Sequence, residues 1–393
     1  MRKTRRTGID KLHTLLFGQD LRITEGEPYC QVRPFDFAAD FEPRHLTKPL
    51  PVPAGEVFDI RTFGADPAAE DNAVAVQQAV DAAAKVGGTV LVDGGSYPMS
   101  TVELRSGVTL FITPGSFLAA RPDGKGFRHK ALLYGRDLTN VTLTGGGGLE
   151  GEGHRFGLRP ALPQNCTKPA DLIDVIEMRR TYRAQLRFAH PSKYGGLLCL
   201  EQCQGVHIHH FLFQNSAHWT CRLQMCRDVL VEYAAIRNNR NVANADGFDI
   251  VGGQDLTFRH CMVSTADDGF VFKHAVWLGS SGEMRHILVE DCRVDSRTNC
   301  IKIGTETTYP ITDVTVRRCR LELQDLYPGA VSGISVEACD GSVVSQVHFE
   351  DREMTRCTCP IFVRLGNRDR RECQRSGIRR QKAARRHSGQ APL

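Results

Sequence analysis

The sequence predicts an all-β fold, a single-stranded parallel β-helix, and three observations support this. Apolar residues with spacing 0, +2, +5, +7 recur six times in the C-terminal half, in copies that begin 23, 27, 31, 27 and 33 residues apart. Second short apolar strands follow these copies, and no helical pattern of ten or more residues separates them. A period in this range is typical of stacked units that cannot bury their apolar faces alone.

Alternating Val, Ile and Phe over short stretches are typical of strands. The first strands carry these positions at Val206, Ile208, Phe211, Phe213; Val229, Val231, Ala234, Ile236; Leu256, Phe258, Cys261, Val263; Ile287, Val289, Cys292, Val294; Val314, Val316, Cys319, Leu321; and, less cleanly, Val347, Phe349, Arg352, Met354. The second strands carry them at Phe248/Ile250, Phe270/Phe272, Ile301/Ile303, Ile334/Val336 and Ile361/Val363. Strands that follow one another without crossover helices favour coils stacked about 4.8 Å apart.

In such a stack Cys261, Cys292 and Cys319 would form an internal ladder of small apolar groups. A propeller is disfavoured, because it needs four strands in repeats of about 40 residues. We therefore assign residues 56–366 to one β-helix domain.

Upstream of the repeat, the sequence predicts an extension and then a helix that caps the solenoid. Residues 1–55 have no clear period and contain several prolines, so we assign them to an N-terminal extension. Asp71 or Asn72 is a suitable cap for a helix that runs through Lys85 and ends at two glycines. This helix would cover the open edge of the first coil.

Strands are next predicted to begin at 89–92 and 108–111. The glycine cluster at 145–148 has no helix after it, so it predicts a tight turn between strands and not a phosphate-binding loop. Residues 154–195 fit the repeat poorly and are predicted to form an inserted loop.

The end of the chain differs in composition from the rest. Residues 366–393 hold nine Lys or Arg against two acidic residues, a balance of +7, whereas the whole chain has a net charge of +5. We assign residues 367–393 to a basic, disordered tail and expect no nucleic-acid partner. Because no cap follows the last repeat, the sequence suggests a natural fold cut short, or a reading frame altered, near residue 368.

Composition places few limits on function. The chain is 41% hydrophobic and 24% charged, as is ordinary for a globular protein. Its 14 cysteines include no paired CxxC spacing, and several occupy core positions, so reduced thiols and a cytoplasmic location are expected. Cys357 and Cys359 alone do not make a zinc site. No segment has the length of a signal peptide's apolar core or of a membrane span, so no membrane partner is expected.

Two acidic turns occupy matching places in successive copies, Asn244-Ala-Asp246-Gly247 and Ala266-Asp267-Asp268-Gly269. Aligning the second strands puts Asp246, Asp268, Asn299, Ser332 and Cys359 in one column, so Asp246 and Asp268 should lie one above the other. Carboxylates this close repel one another, and at least one should hold its proton at elevated pH.

Glycosidic hydrolysis needs this combination of a neutral acid and an ionised carboxylate. Asp or Asn before Gly is, however, also a common turn sequence, and paired aspartates also bind calcium. The neighbouring polar and aromatic residues are candidates for substrate binding, although each also has an ordinary structural interpretation. These candidates are Asn244, Asn299, Lys302, Lys273, Trp219, His218, Glu306 and Arg364.

These residues resemble glycoside hydrolase family 28, the polygalacturonase family, from about residue 58 to 367. The likeness includes Phe63-Gly-Ala-Asp66, the glycine-rich turn at 145–153, Asn215-Ser-Ala-His-Trp219 and the two acidic turns. It implies a right-handed β-helix and an inverting, metal-independent hydrolase without a cofactor. By this resemblance Asp267 is the general acid, and Asp246 and Asp268 hold the attacking water.

Two motifs depart from the family. Its Gly-His-Gly turn falls on Thr298-Asn299-Cys300, and its Arg-Ile-Lys falls on Ser335-Val336-Glu337. Lys302 is the candidate replacement for the missing basic groups. The resemblance thus favours pectin-type oligosaccharides or polysaccharides as substrate.

Two alternatives stay open, a calcium-dependent polysaccharide lyase with Lys273 or Lys302 as base, and a non-catalytic carbohydrate-binding β-helix. The sequence does not specify the sugar, exo or endo action, or the oligomeric state.

Overall fold

The computed structural model describes residues 50–153, 195–238, 242, 244–322, 331–366 and 368. Over these residues the chain is a right-handed parallel β-helix, which confirms the predicted fold class. Every pairing between its strands is parallel. The strands form three stacks along the solenoid, and the first two are continuous through two long strands.

The first stack comprises β1 (Val57–Asp59), β2 (Thr89–Val92), β5 (Thr109–Ile112), β8 (Thr139–Thr144), β11 (Gln204–Gln214), β13 (Arg227–Arg237), β15 (Gln254–Arg259), β18 (Arg285–Glu290), β21 (Ile311–Arg317) and β24 (Val344–Glu350). The second stack comprises β3 (Ser96–Met99), β6 (Phe117–Ala120), β9 (Gly148–Glu150), the C-terminal parts of β11 and β13, β16 (Met262–Thr265), β19 (Arg293–Ser296), β22 (Arg320–Glu322) and β25 (Glu353–Thr355). The third stack comprises β4 (Val102–Glu103), β7 (Ala131–Arg136), β10 (Gly196–Glu201), β12 (Cys221–Gln224), β14 (Phe248–Val251), β17 (Phe270–His274), β20 (Asn299–Thr307), β23 (Ser332–Ala338) and β26 (Cys359–Leu365).

The register of these stacks confirms the repeat read from the sequence. In the first stack the six predicted starts pair in succession, from Val206 with Val229 to Val314 with Val347. In the third stack Phe248 pairs with Phe270, and the later second strands follow in the same register. The sequence pattern alone did not reveal the earlier strands of this stack, β4, β7, β10 and β12.

Apolar side chains from all three stacks meet in one continuous core. Its largest fully buried members include six phenylalanines, Phe211, Phe213, Phe248, Phe258, Phe270 and Phe272. The predicted cysteine ladder is also internal, since Cys261, Cys292 and Cys319 are buried free thiols and the Cys261 amide donates to Cys292 Sγ at 3.4 Å.

Helix α1 (Ala73–Ala83) covers the N-terminal end of this core, as predicted, but it ends two residues before Lys85. The Asp71 carboxylate accepts a hydrogen bond from the Ala73 amide and so caps the first turn. Gln77 closes the free edge of the third stack, because its side-chain amide both donates to and accepts from the backbone of Glu103 in β4. An edge that would otherwise be open to another strand is thereby paired.

Two short 3-10 segments complete the described helices, at Ile60–Phe63 and Val276–Leu278. Within the described residues, no helix has both the length and the apolar character needed to cross a membrane.

Several predicted segments fall wholly or largely outside the described residues. They are the extension at 1–55, of which only residues 50–55 are described, the inserted loop at 154–195, of which only Gly195 is described, and, apart from Arg368, the basic tail at 367–393. Arg368 is anchored, since its guanidinium donates to Asp340 and to the backbone oxygen of Thr305. The last described coil leaves Ile361 and Val363 53% and 71% exposed.

Phe270→Ala should destabilise the fold by about 3–5 kcal/mol, because it empties a position that is completely buried. The Phe270 ring packs 5.0 Å from the ring of Phe248 and 5.4 Å from that of Phe258, measured between centroids. Val74→Ala is the control, since this helix side chain is 70% exposed and its loss should change the free energy of unfolding by under about 0.5 kcal/mol. Urea unfolding followed by circular dichroism measures both, and equal midpoints would contradict this account of the core.

Candidate active site

The turns that lead into the third stack bring the predicted acidic residues together. Asp246 and Asp268 immediately precede the glycines before β14 and β17, and Asn299 begins β20. The Gly247 amide donates to the Asp268 carbonyl, and the Gly269 amide donates to the Asn299 carbonyl, both at 2.8 Å. These bonds place the three side chains in one column, one coil apart, as the alignment of the repeats predicts.

The glycines after the two aspartates are needed for close approach of neighbouring coils. A Cβ on Gly247 would lie 2.4 Å from the Gly269 carbonyl oxygen, and one on Gly269 would lie 2.5 Å from that of Cys300. Neither glycine has a positive φ, so their role is not the left-handed turn that Asp-Gly usually indicates. Larger residues would push these coils, and with them the carboxylates, apart.

Asp246, Asp267 and Asp268 offer carboxylate oxygens that all lie within 4.8 Å of one another. Asp246 and Asp268 are buried, whereas Asp267 is partly exposed. The spacing would also suit a hard cation, which prefers several carboxylate ligands. Two ammonium groups, however, already contact this cluster.

The first ammonium belongs to Lys273, a buried residue of β17, which lies one coil after Asp246. Its Nζ lies 3.3 Å from Asp246 Oδ2 and 2.5 Å from Asp249 Oδ1. The same atom lies 3.8 Å from the centroid of the Trp219 ring, a cation–π contact. Lys273 is only 5% exposed, so its ammonium group has little contact with solvent. Its positive charge compensates the buried carboxylates of Asp246 and Asp249.

The second ammonium belongs to Lys302, on the far side of the acidic cluster. Its Nζ lies 3.0 Å from Asp268 Oδ2 and 3.9 Å from a Glu337 oxygen. Asn299 Nδ2 and Thr298 Oγ1 donate to the other Asp268 oxygen at 2.6 and 3.0 Å. Asp268 therefore receives three donors, all from the following coil.

Thr298 also orients the third carboxylate. Its hydroxyl lies 3.1 Å from Asp267 Oδ1, and the Asp267 carbonyl accepts from Ser296 and from Thr265 at 2.7 Å each. The position where the family carries a different turn thus supplies a hydroxyl to both Asp267 and Asp268.

Burial and charge shift the proton affinities of the Lys273 cluster. Burial raises the pKa of Asp246 well above its usual value, and repulsion from Asp249 adds to the rise while Lys273 opposes it. Burial likewise raises the pKa of Asp249 to about 6. Burial disfavours the Lys273 ammonium, but Asp249 and Asp246 outweigh that effect and raise the pKa of Lys273. Two carboxylates share one ammonium here, an arrangement that favours a proton held between them.

His218 and Trp219 line a cavity of about 250 Å³ beside the acidic cluster, on the side of the preceding coils. Burial lowers the pKa of His218 to about 4. The nearby charges of Lys273, Lys130 and Arg222 contribute to the same decrease. The imidazole is therefore neutral at physiological pH, and a positive potential surrounds it.

Three predicted binding residues lie apart from this arrangement. Asn244 occupies an exposed turn two residues before Asp246. The Glu306 carboxylate lies 3.3 Å from the Arg368 guanidinium, and Arg364 is exposed in the last described strand.

The sequence motifs did not single out Asp249, Thr298, Arg222 or Lys130 as site residues. Asp249 had a usable signal, because strand alternation places it on the same outward row as Lys302. The other three had none, since their relevance depends on which coils lie next to each other.

Comparison with known proteins identifies a matching family. The family model for glycosyl hydrolases family 28 matches residues 84–380. An exopolygalacturonase of Zea mays is 22% identical over 340 residues, covering 82% of this chain and 73% of the relative.

Two solved structures share the fold. An exopolygalacturonase from Thermotoga maritima superposes with a TM-score of 0.61 at 18% identity, covering 81% of this chain and 78% of that one. A polygalacturonase from Erwinia carotovora ssp. carotovora gives a TM-score of 0.62 at 17% identity, covering 81% of each chain. With a family model that spans most of the solenoid and three clustered carboxylates on its third stack, the chain belongs to the glycosyl hydrolases of family 28.

Proposed function

We propose that this protein is a polygalacturonase-like hydrolase that cleaves galacturonate-containing oligosaccharides or polysaccharides with inversion and without a metal. The observation that carries the proposal is the convergence of Asp246, Asp267 and Asp268, whose oxygens lie within 4.8 Å of one another. Hydrolysis of a glycosidic bond needs one carboxyl group to protonate the leaving oxygen and another to activate water.

Asp267 acts as the general acid. It is the one partly exposed member of the three, so it can reach the glycosidic oxygen of a substrate lying along the third stack. The Thr298 hydroxyl holds the Asp267 carboxyl group, and hydrogen bonds from Ser296 and Thr265 hold the Asp267 backbone carbonyl. The proton passes from the Asp267 carboxyl group to the leaving oxygen as the bond to the anomeric carbon breaks.

Asp246 and Asp268 hold the attacking water. They lie one coil apart, and each pairs with its own lysine, Lys273 or Lys302. One carboxylate takes a proton from the water as its oxygen attacks the anomeric carbon. Their closest oxygens are nearer than the about 6.5–9.5 Å that separates the carboxyl groups of most inverting enzymes, so inversion is inferred from family membership and not from this distance.

The lysine contacts also favour hydrolysis over the calcium-dependent lyase. Asp246 Oδ2 and Asp268 Oδ2 each face an ammonium group at 3.3 and 3.0 Å. A divalent cation bound to these oxygens would be repelled by both lysines. Both ammonium groups are also engaged by carboxylates, which raise the pKa of Lys302 against the opposing effect of burial, so neither lysine is poised to abstract a proton.

Asp267→Asn should lower kcat on galacturonate oligosaccharides by at least about 100-fold, because the amide has no proton to give to the leaving group. Asp137→Asn is the matched control, since Asp137 is an exposed corner residue away from the acidic turns. Reducing-sugar release measures both variants. Full activity of Asp267→Asn would refute the assignment of the acid.

Chelation should leave the reaction unchanged and its products saturated. The measurement is an assay in excess EDTA, with the ultraviolet absorbance of unsaturated uronates recorded beside reducing-sugar release. Loss of activity together with unsaturated products would instead establish the lyase.

Inversion is tested by the anomer first seen in the proton NMR spectrum of the products, and initial retention of configuration would exclude it.

Asp249→Asn and Lys273→Met should move the acidic limb of the kcat–pH profile in opposite directions. Removing the Asp249 charge removes a repulsion, so the pKa of Asp246 falls and activity persists to lower pH. Removing the Lys273 charge removes an attraction, so the pKa of Asp246 rises and activity is lost at higher pH. Thermal unfolding of each variant confirms that it is folded, and shifts of equal sign would contradict the role of Lys273 beside Asp246.

A further inference from the structure

The cavity beside the acidic cluster has the chemistry of an anion site. Its lining comes from the residues just before β7, from β10 and from the region of β12, on the side of the coils that precede Asp246, and from Trp277 and Leu278 of the short 3-10 segment. Lys130 and Arg222 line it, and among the described residues no carboxylate does.

Arg222 is held in a fixed orientation within this cavity. One of its terminal nitrogens donates to the Leu278 carbonyl at 3.2 Å and to the side-chain oxygen of Gln224. Its Nε is buried and has no hydrogen-bond partner among the described residues. Both hydrogen bonds use the same terminal nitrogen, so the guanidinium keeps the donor hydrogens of its other terminal nitrogen for an anionic acceptor such as a carboxylate.

Two aromatic rings accompany the cations. Trp219 and Trp277 both line the cavity, and they are the two tryptophans of the chain. The Trp219 ring also contacts Lys273, which in turn contacts Asp246, so the cavity adjoins the proposed point of cleavage. Its volume of about 250 Å³ is of the order of one sugar ring.

The other side of the acidic cluster offers less to an anionic sugar. The Lys302 ammonium is taken by Asp268 and lies 3.9 Å from Glu337, and Ser335 donates to Glu337 at 3.0 Å. The negative charge of Glu337 disfavours a second carboxylate there. Recognition of an anionic sugar is therefore better served by the preceding coils.

We propose that this cavity binds a uronic acid residue next to the scissile bond, with Arg222 and Lys130 as ligands of its carboxylate. The inference rests on the proposed function only for the identity of the sugar, and it assigns the anion specificity of this chain to residues on the preceding coils.

The test uses the intrinsic fluorescence of the intact protein, because both tryptophans report on this cavity. Titration with D-galacturonic acid should give a saturable change, and D-galactose, which has a hydroxymethyl group in place of the carboxylate, should bind at least about 10-fold more weakly. Neither free monosaccharide contains a glycosidic bond, so hydrolysis cannot interfere with the binding measurement.

Arg222→Met and Lys130→Met should each weaken galacturonate binding by about 10-fold or more and leave galactose binding unchanged. Lys85→Met is the control and should have no effect, because Lys85 is exposed in the turn after the capping helix. Thermal unfolding checks each variant. Should Arg222→Met fail to fold, the exposed Lys130 carries the test through its own variant.

Equal affinity for the two sugars, or binding unaffected by both substitutions, would overturn the proposal. Its failure is distinguishable from that of the proposed function. Arg222-dependent binding without hydrolysis of any oligosaccharide would refute the hydrolase and leave the cavity assignment in place. Hydrolysis without preferential binding of galacturonic acid would refute the cavity assignment and leave the hydrolase in place.

Discussion

The register of the third stack is the constraint on which the rest of the site depends. Phe248, Phe270 and Ile301 pair in succession and are completely buried. A slip of one residue would turn their outward neighbours Asp249 and Lys302 into the apolar core, at a prohibitive cost for buried charge. The buried core therefore fixes the strand register of the third stack, and this register keeps Asp246 and Asp268 one coil apart.

Charge compensation is the second requirement of this arrangement. Four carboxylates gather on two neighbouring turns and strands, and burial of such groups is costly unless cations or donors face them. Lys273 and Lys302 meet this need from two sides of the cluster, and both are engaged by acidic side chains. The sequence alone predicts that Lys273 and Lys302 bind substrate, whereas in the structure both ammonium groups pair with aspartates of the protein itself. In the proposed binding mode an anionic sugar is recognised by Arg222 and Lys130, whose cavity has no carboxylate among its described lining residues.

Much of the fold could be predicted from sequence because its determinants are local and repeated. Each coil alternates inward and outward residues, so the strands, their register and the stacked column of Asp246, Asp268 and Asn299 follow from spacing alone. The four earliest strands of the third stack did not. β4 has only two residues, and β7 and β10 are buried along nearly their whole length, so their apolar residues do not alternate with polar ones. The interpretation of Gly247 and Gly269 as turn formers was also incomplete, because the limit on their size comes from a neighbouring coil.

The sequence by itself determined the solenoid, the capping helix and the three acidic residues that converge, because all of these depend on periods and on residues close in the chain. Only the tertiary structure decided which cation meets which carboxylate. Lys273 lies 24 positions from Asp249, and Lys302 lies 34 positions from Asp268. Side-chain reach and burial across stacked coils set these pairs, as they set the cavity formed by Lys130, Arg222 and Trp277. Such contacts bring together residues from separate coils, and no pattern within one coil encodes them.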